Sequence, residues 1–413
     1  MSSQSNIIKH EDQLIIQLPS GNLKLVTVRS DNLIDLGKFG KFQSNDIINK
    51  PYGYSYRIEK GRAYVTKKDT DLSEVEETAA NNKNLLAKQD NQKLSFEEIE
   101  SMKANIASGE TSHSDILNAM IANHSEFNNK TEYSKAKYIN RKKKKFNNIF
   151  TPLEPNHYNI CKFFFDKNPS KIRELRIDTL SQILTSANIH AKSKVLVVDD
   201  TQGLIVGSIM ERLAGFGKIV AIHESEFPNY DIVRYFNFPQ SHQDSLFTIS
   251  WDKLDESYQE QTPEKPETED EILVKKYERK LAKFNEFNAK KGEIYDGNFD
   301  CLIISSFINP WSVISKLKRF IGPSRPIVIY NQFKEPLTAT AAELMASDEF
   351  IYTQLSESWL RHHQVLPGRT HPDMSMSATG GYLLSCIKVT PNDDIQPITQ
   401  SLSKRQKNNW FKS

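Results

Sequence analysis

Two aspartates follow a short strand pattern in the middle of the chain and offer the first candidate for ligand chemistry. Residues 194–198 have the apolar content of a buried parallel strand, and Asp199 and Asp200 come directly after them. A site for a nucleotide or S-adenosylmethionine at such a point needs glycines, because the backbone must approach the ligand and a helix amino terminus must face it.

The glycines that such a loop requires are mostly absent. If Asp199 opens an acid-x-Gly-x-Gly-x-Gly loop, the three glycine positions hold Thr201, Gly203 and Ile205. A Cβ atom at these turns crowds a close ligand, so the degenerate loop predicts a doubly wound fold that binds no cofactor itself. After the next strand, Glu224 and Glu226 are candidates for an acid that would bind ribose hydroxyls.

A second candidate segment, residues 304–311, lies at the end of a later strand. In amino-group methyltransferases of this fold, an Asp or Asn followed by Pro-Pro-Trp-like or Pro-Pro-Tyr-like residues accepts a hydrogen bond from the target amine. Here Pro-Trp is present, but Ser305 and Ser306 stand near the carboxylate position and Asn309 is displaced along the loop. Serine has no charge with which to receive a proton at neutral pH. We therefore expect no catalytic residue, and an active methyltransferase with an atypical cofactor loop is the alternative.

Basic and aromatic residues alternate between residues 130 and 150. Eight basic residues stand there against one acid, with four Tyr and Phe residues interleaved. Basic clusters neutralise phosphates and aromatic rings stack on unpaired bases, so the pattern predicts RNA contact. A nuclear import signal and a solvated helix face are the alternatives. The residues predicted to bind RNA are Lys137, Arg141, Lys142, Lys143, Lys144 and Lys145.

A third cluster spans residues 361–372. Adjacent histidines at His362 and His363 point to opposite faces of a strand, so they cannot easily share a metal ion, and we expect no metal site. The cluster is better suited to phosphate or interface contacts on a loop, and plain loop packing is the alternative. The contact residues predicted here are Arg361, Arg369, Thr370 and His371.

These candidate residues must be positioned by at least two kinds of domain. Residues 1–68 read as short strands separated by turns, which predicts a small β-barrel-like or β-sandwich domain. Residues 69–151 are expected to be a partly disordered, partly helical connection that carries the basic segment 130–150, with helices near 95–106 and 114–122.

The rest of the chain alternates between helix and strand patterns. Residues 152–390 predict a doubly wound parallel sheet, with strands near 194–198, 218–222, 246–249, 299–304, 326–330, 349–354 and 382–389. The insertion 252–298 contains an acidic stretch, in which eight acids stand against two lysines between 255 and 275, and then a charged helix near 271–290. Residues 391–413 read as a flexible tail.

Composition excludes several classes of protein. The 413 residues carry a formal net charge of +2, and 38% of them are hydrophobic, so a folded core with polar insertions is expected. No run of about 18 apolar residues exists, so we expect no membrane contact. Three widely spaced cysteines and an amino terminus without an apolar signal core favour a reducing cytosolic or nuclear compartment. No Walker loop, GxSxG or HExxH motif stands out.

Several segments in order along the chain resemble one family, the non-catalytic subunit of the eukaryotic tRNA (adenine-58, N1) methyltransferase. The likeness covers most of the chain outside roughly 70–125, 255–295 and the tail. The segments are residues 18–22 (LPSGN), 36–40 (LGKFG), 51–53 (PYG), 141–146 (RKKKKF), 175–184 (LRIDTLSQIL), 197–203 (VVDDTQG), 364–372 (QVLPGRTHP) and 380–385 (GGYLLS).

The resemblance implies a small amino-terminal β domain followed by a class I methyltransferase-like Rossmann domain with a degenerate cofactor site. It also implies a heterotetramer in which two such chains pair with two catalytic subunits that hold S-adenosylmethionine. This chain would help to grip tRNA and would work in the nucleus. A standalone RNA-binding protein is a further alternative.

Overall fold

The computed structural model describes residues 7–66, 98, 119–123, 134–135, 138–139, 148–264, 271–366 and 369–392. The chain divides into two compact units. The first unit comprises residues 1–172, 231–239 and 359–378, and the second comprises residues 173–230, 240–358 and 379–413. The expectations for residues 69–93, for a helix at 95–106 and for the tail fall almost entirely outside the described residues. Of the helix expected at 114–122, residues 119–122 are described and helical.

An antiparallel sheet forms the first unit, with strand order β2-β1-β7-β5-β6 and a separate β3-β4 hairpin. The strands are β1 Gln13–Gln17, β2 Leu23–Thr27, β3 Leu33–Asp35, β4 Lys41–Gln43, β5 Ser55–Glu59, β6 Arg62–Thr66 and β7 Ile149–Leu153. The predicted N-terminal β domain is confirmed as an antiparallel sheet. The predicted domain boundaries at residues 68 and 151 differ from it, because β7 pairs with β1 and β5 and so belongs to this sheet.

Aromatic packing on the inner face explains why β7 joins a sheet whose other strands lie more than 80 residues earlier. Phe150 of β7 is buried, and its ring stacks on Phe42 at a centroid distance of 4.5 Å and on Tyr56 at 5.6 Å. Helix α1, His157–Lys167, follows β7. It is capped by Asn156, whose side chain accepts a hydrogen bond from the Asn159 backbone N–H.

The second unit is built on a seven-stranded sheet with strand order β10-β9-β8-β11-β12-β16-β13. Its strands are β8 Lys194–Asp199, β9 Lys218–His223, β10 Leu246–Ser250, β11 Cys301–Ser305, β12 Arg325–Asn331, β13 Phe350–Trp359 and β16 Thr379–Lys388. The first five strands in this order pair in parallel, and β16 runs antiparallel to β12. The predicted doubly wound sheet is therefore confirmed, with β16 reversed relative to β12.

Helices connect the strands of this sheet. They are α2 Ile177–Ser186, α3 Leu204–Leu213, α4 Gln240–Gln243, α5 Trp251–Leu254, α6 Glu271–Tyr295, α7 Pro310–Leu317 and α8 Lys334–Ala346. Two further strands, β14 His363–Leu366 and β15 Arg369–Pro372, form a hairpin in the first unit. Within the described part of the chain, no helix is both long and apolar enough to cross a bilayer.

The strand order reverses between β8 and β11, and this reversal locates the candidate site. β8 pairs with β9 on one side and with β11 on the other, and the last residues of β8 and β11, Asp199 and Ser305, are register partners. In open α/β sheets, ligands bind outside the carboxyl ends of the strands at such a switch point. The fold therefore brings the two predicted segments at 199–205 and 304–311 to one edge.

Replacing the ring that joins β7 to its sheet tests this fold. Phe150→Ala should lower the free energy of unfolding by about 3–5 kcal/mol, because it removes a buried ring and leaves a cavity. Urea unfolding followed by circular dichroism measures the change. The control is Tyr64→Ala on β6, whose side chain is 55% exposed and whose loss should cost less than about 0.5 kcal/mol. Equal costs for the two variants would contradict the packing of β7 described above.

Candidate functional site

The carboxylate of Asp199 is bound by its own loop. Asp199 is buried at the end of β8 and accepts hydrogen bonds from the backbone N–H groups of Thr201 at 2.6 Å and Val206 at 3.1 Å. It also accepts one from the Thr201 hydroxyl at 2.5 Å. Burial raises the pKa of Asp199, and the hydrogen bonds from Thr201 and Val206 offset part of that rise. An acid that would bind a ligand is thus used to cap the amino terminus of α3.

The three glycine positions of the loop are filled in a way that supports this cap. Thr201 is fully buried, and its hydroxyl accepts a hydrogen bond from the Ile205 backbone N–H at 3.3 Å. Ile205 is fully buried as well, whereas Gly203 precedes the helix with a φ of 85°. Of the three positions, only that of Gly203 has a backbone in the left-handed region, which glycine adopts without strain. Two of the three glycine positions therefore hold side chains that are buried in the chain's own structure.

Asp200 ties the end of β8 to the end of β11. Its carboxylate accepts hydrogen bonds from the Ser306 hydroxyl at 2.7 Å and from the Phe307 backbone N–H at 2.9 Å. Its own N–H donates to the Ser305 carbonyl at 2.8 Å. Ser305 is fully buried, and its hydroxyl has no hydrogen-bond partner among the described residues. The Ser306 hydroxyl thus links two neighbouring strands, and the Ser305 hydroxyl makes no hydrogen bond among the described residues.

A buried arginine, which the sequence patterns did not single out, completes this edge. Arg173 is 3% exposed, and its guanidinium lies 3.9 Å from the centre of the Phe307 ring. Burial lowers the pKa of Arg173. The charges of three nearby groups raise it in part: Asp200, Tyr330 and Asp199. Its Nε and Nη1 atoms have no hydrogen-bond partner among the described residues. The chain therefore supplies its own cation beside the two aspartates.

Tyr230 is a second group that sequence reasoning missed. Its hydroxyl is buried without a hydrogen-bond partner in the described part of the chain, and burial raises its pKa, with Asp199 and Asp200 adding to the rise. Arg173 lies just before residues 175–184, which are among the segments that resemble the family. This position in the chain was the one sequence signal that could have pointed to Arg173. No local pattern marks Tyr230, because its neighbours at the site are distant in sequence.

The remaining candidates of this edge are engaged in local structure or exposed. Asn309 accepts a hydrogen bond from the Ser312 backbone N–H at 3.2 Å, so its amide oxygen caps α7. His223, at the end of β9, bonds through Nδ1 to the Ser225 carbonyl at 2.7 Å, and burial lowers its pKa. Glu224 and Glu226 are exposed. None of these groups is arranged as a general base.

The main basic segment lies outside the described residues. This applies to Lys137 and to residues 141–145, so their role stays a prediction. Two aromatics that flank the segment are described. Tyr138 is half-buried in a helical turn, whereas Phe150 is in the core of the first unit and is unavailable for stacking on a base.

The cluster at 361–372 forms the β14-β15 hairpin and its approach. Nη1 of Arg361 donates to the carbonyls of Asp373 at 2.9 Å and Met376 at 3.0 Å, so this side chain closes the loop beyond the hairpin. Thr370 and His371 are exposed on β15, and Arg369 begins that strand. In the part of the chain that is described, His, Cys, Asp and Glu side chains form no group of three suited to a metal ion.

Comparison with known proteins gives results that agree with this geometry. The Gcd10p family model matches residues 7–278. A relative from Debaryomyces hansenii, named tRNA (adenine(58)-N(1))-methyltransferase non-catalytic subunit TRM6, is 31% identical over 94% of this chain and 88% of its own length. A relative of the same name from Mus musculus is 30% identical, over 84% of this chain and 82% of its own length.

The solved structures support the fold. A SAM-dependent O-methyltransferase from Thermotoga maritima aligns with a TM-score of 0.52, covering 95% of this chain and 98% of its own, at 12% sequence identity. At that identity the likeness concerns the fold alone. It agrees with the class I methyltransferase-like domain that the sequence predicted.

The hydroxyl of Thr201 provides a test of the loop. Thr201→Val should lower the free energy of unfolding by about 1–3 kcal/mol, because the buried Asp199 loses a donor and the Ile205 N–H loses its acceptor. The control is Thr338→Val on α8, which removes the same atoms from an exposed residue and should cost less than about 0.5 kcal/mol. Chemical unfolding measures both. Equal effects would mean that the hydroxyl does not support the loop.

Proposed function

From the premise that the chain belongs to the Gcd10p family, we infer that it is the non-catalytic subunit of a tRNA (adenine-58, N1) methyltransferase. The observation within the molecule that carries this inference is the engagement of Asp199 by Thr201 and Val206. A carboxylate that caps α3 is not free to orient a cofactor, and the side chains of Thr201 and Ile205 fill the loop around it.

Catalysis is accordingly supplied by a partner subunit. Removing a proton from the reacting adenine, or orienting its nitrogen, requires a base within hydrogen-bond reach. At the end of β11 the available groups are Ser305 and Ser306, and the following amide, Asn309, caps a helix. We propose that S-adenosylmethionine binds to the catalytic partner and that this chain binds none.

The surface of the second unit supports assembly with such a partner. β13 is the last strand in the sheet order, and four of its side chains are exposed apolar groups: Ile351, Tyr352, Leu355 and Trp359, at 53%, 68%, 36% and 67% exposure. A strand at the end of a sheet that has exposed apolar side chains favours pairing with another chain. We propose that this edge contributes to the contact with the catalytic subunit, in a heterotetramer of two plus two chains.

We further propose that the chain grips tRNA and acts in the nucleus. The target adenine is folded into the tRNA elbow, and exposing it costs a few kcal/mol of stacking and pairing. A basic surface offsets this cost by binding the backbone on either side of the distortion. Lys137 and residues 141–145 are proposed to provide it, with Arg369, Thr370 and His371 as further contacts, while Arg361 holds the loop beyond the hairpin.

Titration with S-adenosylmethionine tests the division of labour. Calorimetry on the chain alone should detect no binding, because Asp199, Thr201 and Ile205 leave no open loop. The co-expressed complex should bind one cofactor per catalytic subunit and methylate tRNA, and its mass should match two copies of each chain. Binding and methyl transfer by the isolated chain would instead establish the alternative of an active enzyme with an atypical loop. A lasting monomer after co-expression would indicate a standalone RNA-binding protein.

Charge removal tests the predicted grip. Changing residues 141–145 to Ala in the complex should weaken tRNA binding and flatten the dependence of log K on log salt, because fewer counterions are released. The matched control, called the dispersed control, changes Lys9, Lys50, Lys60, Lys192 and Lys334 to Ala. These five lysines are exposed and have the same summed charge. If both variants keep the affinity and the salt slope of the unmodified complex, the proposed grip is incorrect.

A further inference from the structure

The long helix of the insertion is fastened to the second unit at its carboxyl end. Helix α6 has 25 residues and is therefore about 37 Å long. Ile294 is buried, and the Tyr295 hydroxyl donates to the Leu254 carbonyl at 2.6 Å. About two turns earlier, Phe287 contacts Phe247 at a ring distance of 6.1 Å. These contacts hold the helix in place and leave its amino-terminal half to present a different surface.

That half carries five exposed cations, which we call the cationic stripe: Lys275, Lys276, Arg279, Lys280 and Lys283. At 100° per residue they occupy an arc of about 140° on one side of the helix. The neighbouring apolar residues Val274, Tyr277, Leu281 and Phe284 are half-buried and lie on another side. Among the described residues, all five cations line one open cavity of about 530 Å³. The helix is thus amphipathic, and its charged face is mainly cationic. Glu278 is exposed beside the stripe, and Glu260 and Glu264 line a neighbouring cavity together with Lys276, Lys280 and Lys283.

The cations nearer the carboxyl end of the same helix differ from those of the stripe in their hydrogen-bond and ion-pair partners. Lys290 forms an ion pair with Glu286 at 2.6 Å, and Lys291 donates to the carbonyls of Asp255 and Tyr258 at 2.7 and 2.8 Å. In the described part of the chain, no carboxylate lies within 4.0 Å of the side-chain nitrogens of Lys276, Arg279, Lys280 or Lys283. These four cations of the stripe therefore have positive charge available for another molecule.

The spacing within the stripe also works against the helix on its own. Lys275 and Arg279, Lys276 and Lys280, and Arg279 and Lys283 are pairs at i and i+4, where like charges destabilise a helix. Binding a polyanion removes that repulsion. From the first to the last cation the stripe spans about 12 Å, and the same length of duplex axis carries about seven phosphate charges. A nucleic-acid backbone therefore matches the stripe in both length and charge.

We propose that the cationic stripe of α6 is a second tRNA-binding surface that contacts the phosphate backbone. This proposal rests on the proposed function, because it takes the bound RNA to be the tRNA substrate of the complex. The five residues are lysines and one arginine, without an aromatic group among them, so the stripe positions the RNA and reads no bases. It lies in the insertion, apart in sequence from the segment 130–150 that carries the predicted grip.

The test uses the complete complex with its catalytic subunit. In the stripe variant, Lys275, Lys276, Arg279, Lys280 and Lys283 become Gln, and the five lysines of the dispersed control become Gln in parallel. At about 100 mM salt the stripe variant should bind tRNA at least about tenfold more weakly than the unmodified complex, with a salt slope smaller by about 3. The dispersed control should keep the slope of the unmodified complex. Replacing only the four lysines with Arg should preserve affinity, because the charge is kept.

Folding and assembly are checked in the same samples. The stripe variant should unfold at the same or a higher temperature, because its like-charge pairs are gone, and its complex should keep the mass of the unmodified one. Affinity and slope equal to those of the dispersed control would overturn the proposal and leave the stripe as a solvated face. Loss of the catalytic subunit would also overturn it, in favour of a protein interface. Failure of the unmodified complex to bind tRNA would instead refute the proposed function.

Discussion

The hydrogen bonds to the Asp199 carboxylate are the interaction on which the second unit depends most. They join the end of β8 to the first turn of α3 at the point where the strand order reverses. A buried carboxylate without donors is strongly unfavourable, so Thr201 and Val206 must stay where they are for the charge to be tolerated. The donors that stabilise the fold therefore use the hydrogen-bonding capacity of Asp199, the acid around which a cofactor site would be built.

Asp200 and Arg173 extend this arrangement to the neighbouring strand. Asp200 accepts from Ser306 and Phe307 at the end of β11, and Arg173 lies against the Phe307 ring with its charge close to both aspartates. An edge that in an active enzyme would hold a charged cofactor is satisfied here by groups of the chain itself. This explains how a methyltransferase fold is retained without the chemistry, and why binding functions are expected on other surfaces of the molecule.

Local patterns were sufficient for much of the fold. The strands predicted at 194–198 and 218–222 match β8 and β9 to within one residue, because each is a continuous apolar run in the sequence. The limits of the first unit were harder to predict. β7 is short, and it belongs to the first sheet only because Phe150 packs on Phe42 and Tyr56, which are about 100 residues away. No local period records such a contact.

The sequence by itself determined that the cofactor loop is degenerate, since the loss of a glycine is a property of a single position. It also determined the doubly wound fold class and the resemblance to a non-catalytic subunit. Only the tertiary structure decided which groups take over the edge: the cap made by Asp199, the cation of Arg173 and the buried hydroxyl of Tyr230. The reason is that hydrogen bonds and charge interactions depend on distances in space, and residues far apart in the chain reach those distances only after the strands have paired.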